Sequence, residues 1–178
     1  MTPIAEMIVA IHKSLALARL DHAFGGALAL AWCTQAPRGT SDIDLNVFTG
    51  VAEIPSVLAA LPDQVTCSAS DRALLKRDGQ ARLHWDTTPV DLFLNTTEFH
   101  EAVGERAVFH EFAGVLVPFL SCADLAVFKA FFNRTKDWAD LEEMIAAGMV
   151  DIERAIGALA RHLGSDDERV RRLVDLTR

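Results

Sequence analysis

The stretch Asp42-Ile-Asp-Leu-Asn-Val-Phe48 constrains the fold more than any other part of this 178-residue chain. Its polar and apolar residues alternate, so a strand there carries Asp42, Asp44 and Asn46 on one face and Ile43, Leu45 and Val47 on the other. The apolar face needs a covering layer. The two carboxylates project to the same side and repel one another unless a cation stands between them. Oxygen donors of this kind suit Mg²⁺ or Mn²⁺; Mg²⁺ binds through one or two carboxylates and completes its shell with water and substrate phosphates. A phosphate-bearing substrate is the first expectation.

Asp91 has a related setting. It interrupts Pro-Val-Asp-Leu-Phe-Leu, an apolar strand in which an uncompensated charge would be costly. On a strand beside 42–48, at the usual spacing of about 4.8 Å, it would join the same ion cluster. A place at a strand edge, or a pair with Arg82, is the alternative. Three metal-free carboxylates would repel each other, so each Asp→Asn change is expected to leave metal-free stability equal or higher.

Gly25 and Gly26 fall between a short strand and the helix-forming residues Ala27 to Trp32. Without Cβ atoms, their backbone N–H groups can approach triphosphate oxygens at the positive end of the helix. On the residues alone, a tight turn or close packing is the competing explanation. Arg38, Thr40 and Ser41 lead into the D-x-D strand and bring a guanidinium and two hydroxyls to the same place.

Along the rest of the chain the spacing predicts an amphipathic helix over 4–20, a helix over 52–61, a short strand at 64–67 and a helix from Ser70 to Asp78 ending at Gly79. Strands follow at 80–86 and 89–95, joined near Thr87-Thr88. An N-x-x-E pattern from Asn95 precedes a helix near 97–106, and 107–111 with 114–118 form a hairpin turning at Ala113-Gly114. From Ser121 onward the pattern is helical, with helices to about Phe132 and at 136–147, 151–163 and 166–176, the last opened by a Ser165-x-x-Glu168 box. An α/β front half, residues 1–120, thus precedes a helical segment, 121–178, packed on it.

The apolar share of 51% and charged share of 24% describe a globular chain that folds without a partner. No stretch approaches the roughly 20 apolar residues of a membrane span, and the N-terminus lacks the pattern of a secretory signal, so no membrane role and a cytoplasmic setting are expected. A net charge of −8 argues against a broad electropositive surface for nucleic acid. Arginines at 169, 171, 172 and 178 read as a solvated face balancing Asp166, Asp167 and Glu168. Cys33, Cys67 and Cys122, odd in number and widely spaced, read as buried free thiols.

Phe24-Gly25-Gly26-Ala27, then Arg38-Gly-Thr40-Ser41-Asp42-Ile-Asp44-Leu, then Pro89-Val-Asp91-Leu resembles, in that order, the signature of the nucleotidyltransferase fold, a mixed sheet flanked by helices. Leu125-x-x-x-Lys129 and Asn133-Arg134-x-Lys136-Asp137-Trp-x-Asp140-Leu are similar to its abortive-infection (AbiEii-like) toxin branch. The resemblance covers about residues 20–145. It implies that Asp42, Asp44 and Asp91 bind Mg²⁺ or Mn²⁺ and carry catalysis, with Asp91 helping to activate an acceptor hydroxyl. It also implies that Gly25, Gly26, Arg38, Thr40, Ser41, Lys129, Asp137 and Asp140 bind nucleotide. The implied reaction moves a nucleoside monophosphate from an NTP such as ATP to an RNA, protein or small-molecule acceptor; an RNA or protein acceptor suits a toxin with an antitoxin protein as partner, and a small acceptor such as an antibiotic suits a resistance-type enzyme. A fold that keeps nucleotide or a partner without turnover is the alternative.

Overall fold

The computed structural model describes residues 2–36 and 39–178. The chain forms two compact units, Met1–Leu28 with Gly39–Leu120 and Ala29–Arg38 with Ser121–Arg178.

The first unit holds β1 (His22–Phe24), β2 (Ile43–Gly50), β3 (Val65–Thr66), β4 (Gln80–Trp85), β5 (Thr88–Asn95), β6 (Val108–Phe112) and β7 (Val115–Phe119). Among the described residues these make one seven-stranded sheet in the order β3-β4-β5-β2-β1-β7-β6. β2 runs parallel to β5 and β1 parallel to β7, and the other neighbours are antiparallel. This is the mixed α/β architecture that the alternation at 42–48 requires. Ile43, Leu45 and Val47 of β2 and Val90, Leu92 and Leu94 of β5 are buried, whereas Asp44 and Asp91 lie on the partly exposed face. Helix α1 (Ile4–Leu17) buries Met7, Ile8, Ile11 and Leu15, the stripe that its spacing dictates.

Helix α2 (Gly26–Thr34) starts at the second glycine of the Gly-Gly pair. Helices α3 (Ile54–Ala60), α4 (Ala69–Asp78) and α5 (Glu98–Val103) complete the first unit. Gly79 ends α4 in the left-handed conformation, φ 69°, as a C-terminal glycine should. Ala113 and Gly114, both at positive φ, make the β6–β7 turn.

The second unit is helical: α6 (Cys122–Phe132), α7 (Thr135–Ala146), α8 (Ile152–Leu163) and α9 (Glu168–Asp175) join residues 29–36. Leu125, Ala126, Trp138, Leu141, Met144, Ala155, Leu159 and Leu173 are buried. No helix among the described residues is long and apolar enough to cross a membrane.

Three local expectations need correction. Asn95 is the last residue of β5, and the cap of α5 is Thr97, whose hydroxyl accepts from His100 N. The cap of α9 is Asp167, whose carboxylate accepts from Arg169 N in the first turn, and not Ser165. Cys33 and Cys122 are joined in a disulfide with Cα atoms 5.5 Å apart, and Cys67 alone is a free thiol. Helices α2 and α6 bring together two cysteines 89 residues apart, a pairing that sequence spacing cannot reveal.

Candidate active site

Three neighbouring strands place one charged residue each in a single row across the sheet. Arg82 of β4 stands opposite Asp91 of β5, and Asp91 stands opposite Asp44 of β2. One position beyond the Phe24–Leu45 pair, Gly25 N–H donates to Asp44 O at 2.9 Å and brings the Gly-Gly turn to the end of the same row. The order is therefore cation, carboxylate, carboxylate, glycine turn.

The turn and the D-x-D strand are built as one piece. Gly26 has φ +53°, and a Cβ there would overlap Asp44 Oδ2 while sitting 3.1 Å from Asp44 Cβ. A Cβ on Gly25 would meet Leu120 Cδ1 at 3.1 Å and Asn46 Nδ2 at 3.2 Å. Both glycines thus have a packing reason, and at Gly26 the neighbour is the carboxylate itself. Since Gly25 N–H is engaged by Asp44 O, the amides facing outward at this turn belong to the first turn of α2, which begins at Gly26.

Asp42 precedes β2 and is oriented by Thr40, whose hydroxyl lies 2.8 Å from Asp42 O and 3.0 Å from Asp42 Oδ1 as donor. Ser41 is exposed. Arg38, also expected at the nucleotide, lies outside the described residues.

Arg82 is the group that the sequence named only as an alternative partner. Its Nε donates to Asp91 Oδ1 and its Nη2 to Asp91 Oδ2, each at 2.7 Å, and Nη2 lies 3.9 Å from Asp42 Oδ2. Asp91 raises the affinity of this guanidinium for its proton still further, with Asp42 and Asp44 adding to the effect. Among the described residues no three carboxylate, imidazole or thiolate groups are arranged to hold a metal ion. The donor set nevertheless suits a hard cation: carboxylates on adjoining strands, a glycine cradle under Asp44, and a guanidinium standing beside two of them where a cation is called for. The strand register brings Asp44 and Asp91 together, and Arg82 reaches from Asp91 towards Asp42.

Asn46, also on β2, and His100 of α5 form a buried pair behind the turn, with His100 Nε2 3.1 Å from Asn46 Oδ1. Burial lowers the His100 pKa to about 4, against a smaller opposing effect of the Leu94 backbone. The alternation at 42–48 marks Asn46, but nothing in the sequence marks its partner. His22 of β1 has structural partners. Its Nδ1–H donates to Leu20 O at 2.7 Å, and in that tautomer its Nε2 accepts from His12 Nδ1–H at 2.9 Å.

The remaining expected residues lie in the helical unit. Lys129 of α6 is buried, with Nζ 2.6 Å from Asp140 Oδ2 and 3.7 Å from Asp137 Oδ1. Arg134 donates to both Asp137 oxygens, at 2.6 and 3.0 Å, and Trp138 Nε1–H donates to Asn133 Oδ1 at 2.7 Å. The Asn133 to Asp140 run thereby stitches the α6–α7 junction together.

No family model matches the chain, and no curated protein does. Solved structures do. A solution structure of the antibiotic-resistance factor ANT(2'')-Ia is similar over 89% of this chain and 90% of its own, at 13% identity and a TM-score of 0.63. A crystal structure of ANT(2'')-Ia in complex with adenylyl-2''-tobramycin is similar over 90% of this chain and 97% of its own, at 15% identity and a TM-score of 0.60. The chain has the nucleotidyltransferase fold of these neighbours.

Proposed function

We propose that the chain is a metal-dependent nucleotidyltransferase that moves a nucleoside monophosphate from an NTP to an acceptor hydroxyl. The observation that carries this reading is the transverse row in which Asp44 and Asp91 stand side by side and the Gly25–Gly26 turn is bonded to the Asp44 strand. Asp42, Asp44 and Asp91 would hold Mg²⁺ or Mn²⁺, which when bound supplies charge stabilisation at the reacting phosphate oxygens. In the transfer itself the acceptor oxygen bonds to the α-phosphorus as the bond from that phosphorus to the bridging oxygen breaks, and the electron pair leaves on pyrophosphate. Asp91 takes the hydroxyl proton. Thr40 fixes Asp42, Gly26 leaves room for the Asp44 carboxylate, and the first-turn amides of α2 face the phosphates. Arg38 and Ser41 join them at the nucleotide in this proposal.

A second reading of Lys129, Asp137 and Asp140 is favoured by their ion pairs. Each acid already holds a buried or partly buried cation, so a structural role competes with the nucleotide contact that the resemblance implies. We further propose a 1–120 catalytic core with 121–178 as its helical segment. A toxin role with an antitoxin partner follows from the AbiEii-like pattern, and ANT(2'')-Ia with adenylyl-2''-tobramycin bound supports testing a small polyhydroxyl acceptor beside RNA and protein.

Incubation with each α-labelled NTP, Mg²⁺ and, separately, total RNA, protein extract and an aminoglycoside tests the reading. Label on one acceptor class with equimolar pyrophosphate is the expected result. The absence of both from every mixture would favour a module that has lost turnover, for which the Arg82 bridge to Asp91 is the supporting observation.

A further inference from the structure

We propose that Arg82 is a built-in counter-cation that holds the carboxylate row closed without metal and is displaced when a divalent ion binds, an inference that rests on the metal-site reading above. The geometry argues for exchange. The guanidinium takes both Asp91 oxygens at 2.7 Å and reaches to 3.9 Å from Asp42 Oδ2, so it lies between two of the three proposed ligands. A divalent ion held by Asp91 and Asp42 would compete with the guanidinium for the same carboxylate lone pairs.

The two ends of the contact differ in exposure. Asp91, on a central strand, has a side chain only 19% exposed, while that of Arg82 is 55% exposed. Arg82 stands on β4, the third strand along from the turn, and points to the open face on which Gln80 and His84 are also exposed. The side chain can therefore swing into solvent while the strands stay in place. Its hydration there offsets much of what the pair contributes, since exposed ion pairs are weak.

Arg82 also changes the sign expected for one substitution. With three bare carboxylates, every Asp→Asn change should relieve repulsion. With Arg82 in place, Asp91→Asn instead removes the main partner of a bidentate pair.

The test is Mn²⁺ binding by the full chain, followed by calorimetry and by the electron paramagnetic resonance of free Mn²⁺. Arg82→Gln should bind Mn²⁺ about fivefold more tightly than wild type, the factor that an ion pair of this exposure represents. Arg82→Lys, which keeps the charge and loses the fork, should fall between. In the wild type, Mn²⁺ should also increase modification of Arg82 by phenylglyoxal, read by mass spectrometry. Equal or weaker Mn²⁺ binding by Arg82→Gln, or unchanged Arg82 reactivity in a wild type that binds Mn²⁺, would overturn the proposal and leave the metal site standing. Failure of both wild type and Arg82→Gln to bind Mn²⁺ would overturn the metal site and the proposal together.

Discussion

The carboxylate of Asp44 lies directly over the Cα of Gly26, in the space that any side chain there would occupy. Gly26→Ala therefore has two effects: it strains a backbone at φ +53° and pushes Asp44 out of the row. We expect the variant to lose about 1 kcal/mol or more of stability and nearly all metal-induced stabilisation. Thermal melts with and without Mn²⁺ read both. An unchanged Mn²⁺ shift would show that the position of Asp44 does not depend on the glycine.

The sequence disclosed this arrangement in part. Alternation at 42–48 marks the strand and its two faces, because a half-buried strand leaves a period-two trace, and the Gly-Gly turn shows in its place before the helix-forming residues 27–32. The place of Arg82 was harder to read. A loop at Thr87-Thr88 would set Arg82 opposite Phe93, whereas the hairpin closes with Trp85 opposite Thr88 and puts Arg82 opposite Asp91. A one-residue error in the turn moves the cross-strand partner by two, which is why the pair with Arg82 stands in the sequence only as an alternative. Neither the Cys33–Cys122 bond nor the Asn46–His100 contact leaves any periodic signal, since each joins segments far apart in the chain.

His100 should make stability depend on pH on the acid side. Its folded pKa of about 4 lies below the ordinary 6.5, so the unfolded chain takes up the proton first. The contribution is full above pH 6.5 and is lost as pH falls towards 4, with a ceiling of about 3 kcal/mol. Urea titrations of wild type and His100→Gln between pH 4 and 7 should diverge over that window and differ by a constant amount above it. Parallel curves would show that burial does not hold His100 neutral.

Lys129→Ala is expected to destabilise the chain by about 3 to 5 kcal/mol, because it leaves Asp140 and Asp137 buried without their shared ammonium. Lys129→Arg should recover part of that loss. A variant with normal melting and lost transfer would restore Lys129 to the nucleotide site.

Reduction of the Cys33–Cys122 bond reopens a loop spanning 89 positions, worth about 4 to 5 kcal/mol in the chain-entropy account. Unfolding free energies from denaturant titrations in dithiothreitol should fall by a comparable amount in wild type, with a lower midpoint, and not at all in a Cys33→Ala, Cys122→Ala double variant. Equal midpoints with and without reductant in wild type would show that the bond does not constrain the unfolded chain.

We propose that the row of Asp44 and Asp91 beside the Gly25–Gly26 turn performs nucleotidyl transfer. The most direct measurement is release of pyrophosphate from an NTP, matched to label on the acceptor, in wild type and Asp44→Asn under Mg²⁺. We expect equimolar product and pyrophosphate from wild type and a loss of at least a thousandfold in Asp44→Asn, about 4 kcal/mol of transition-state stabilisation. Transfer by Asp44→Asn at the wild-type rate would contradict the claim.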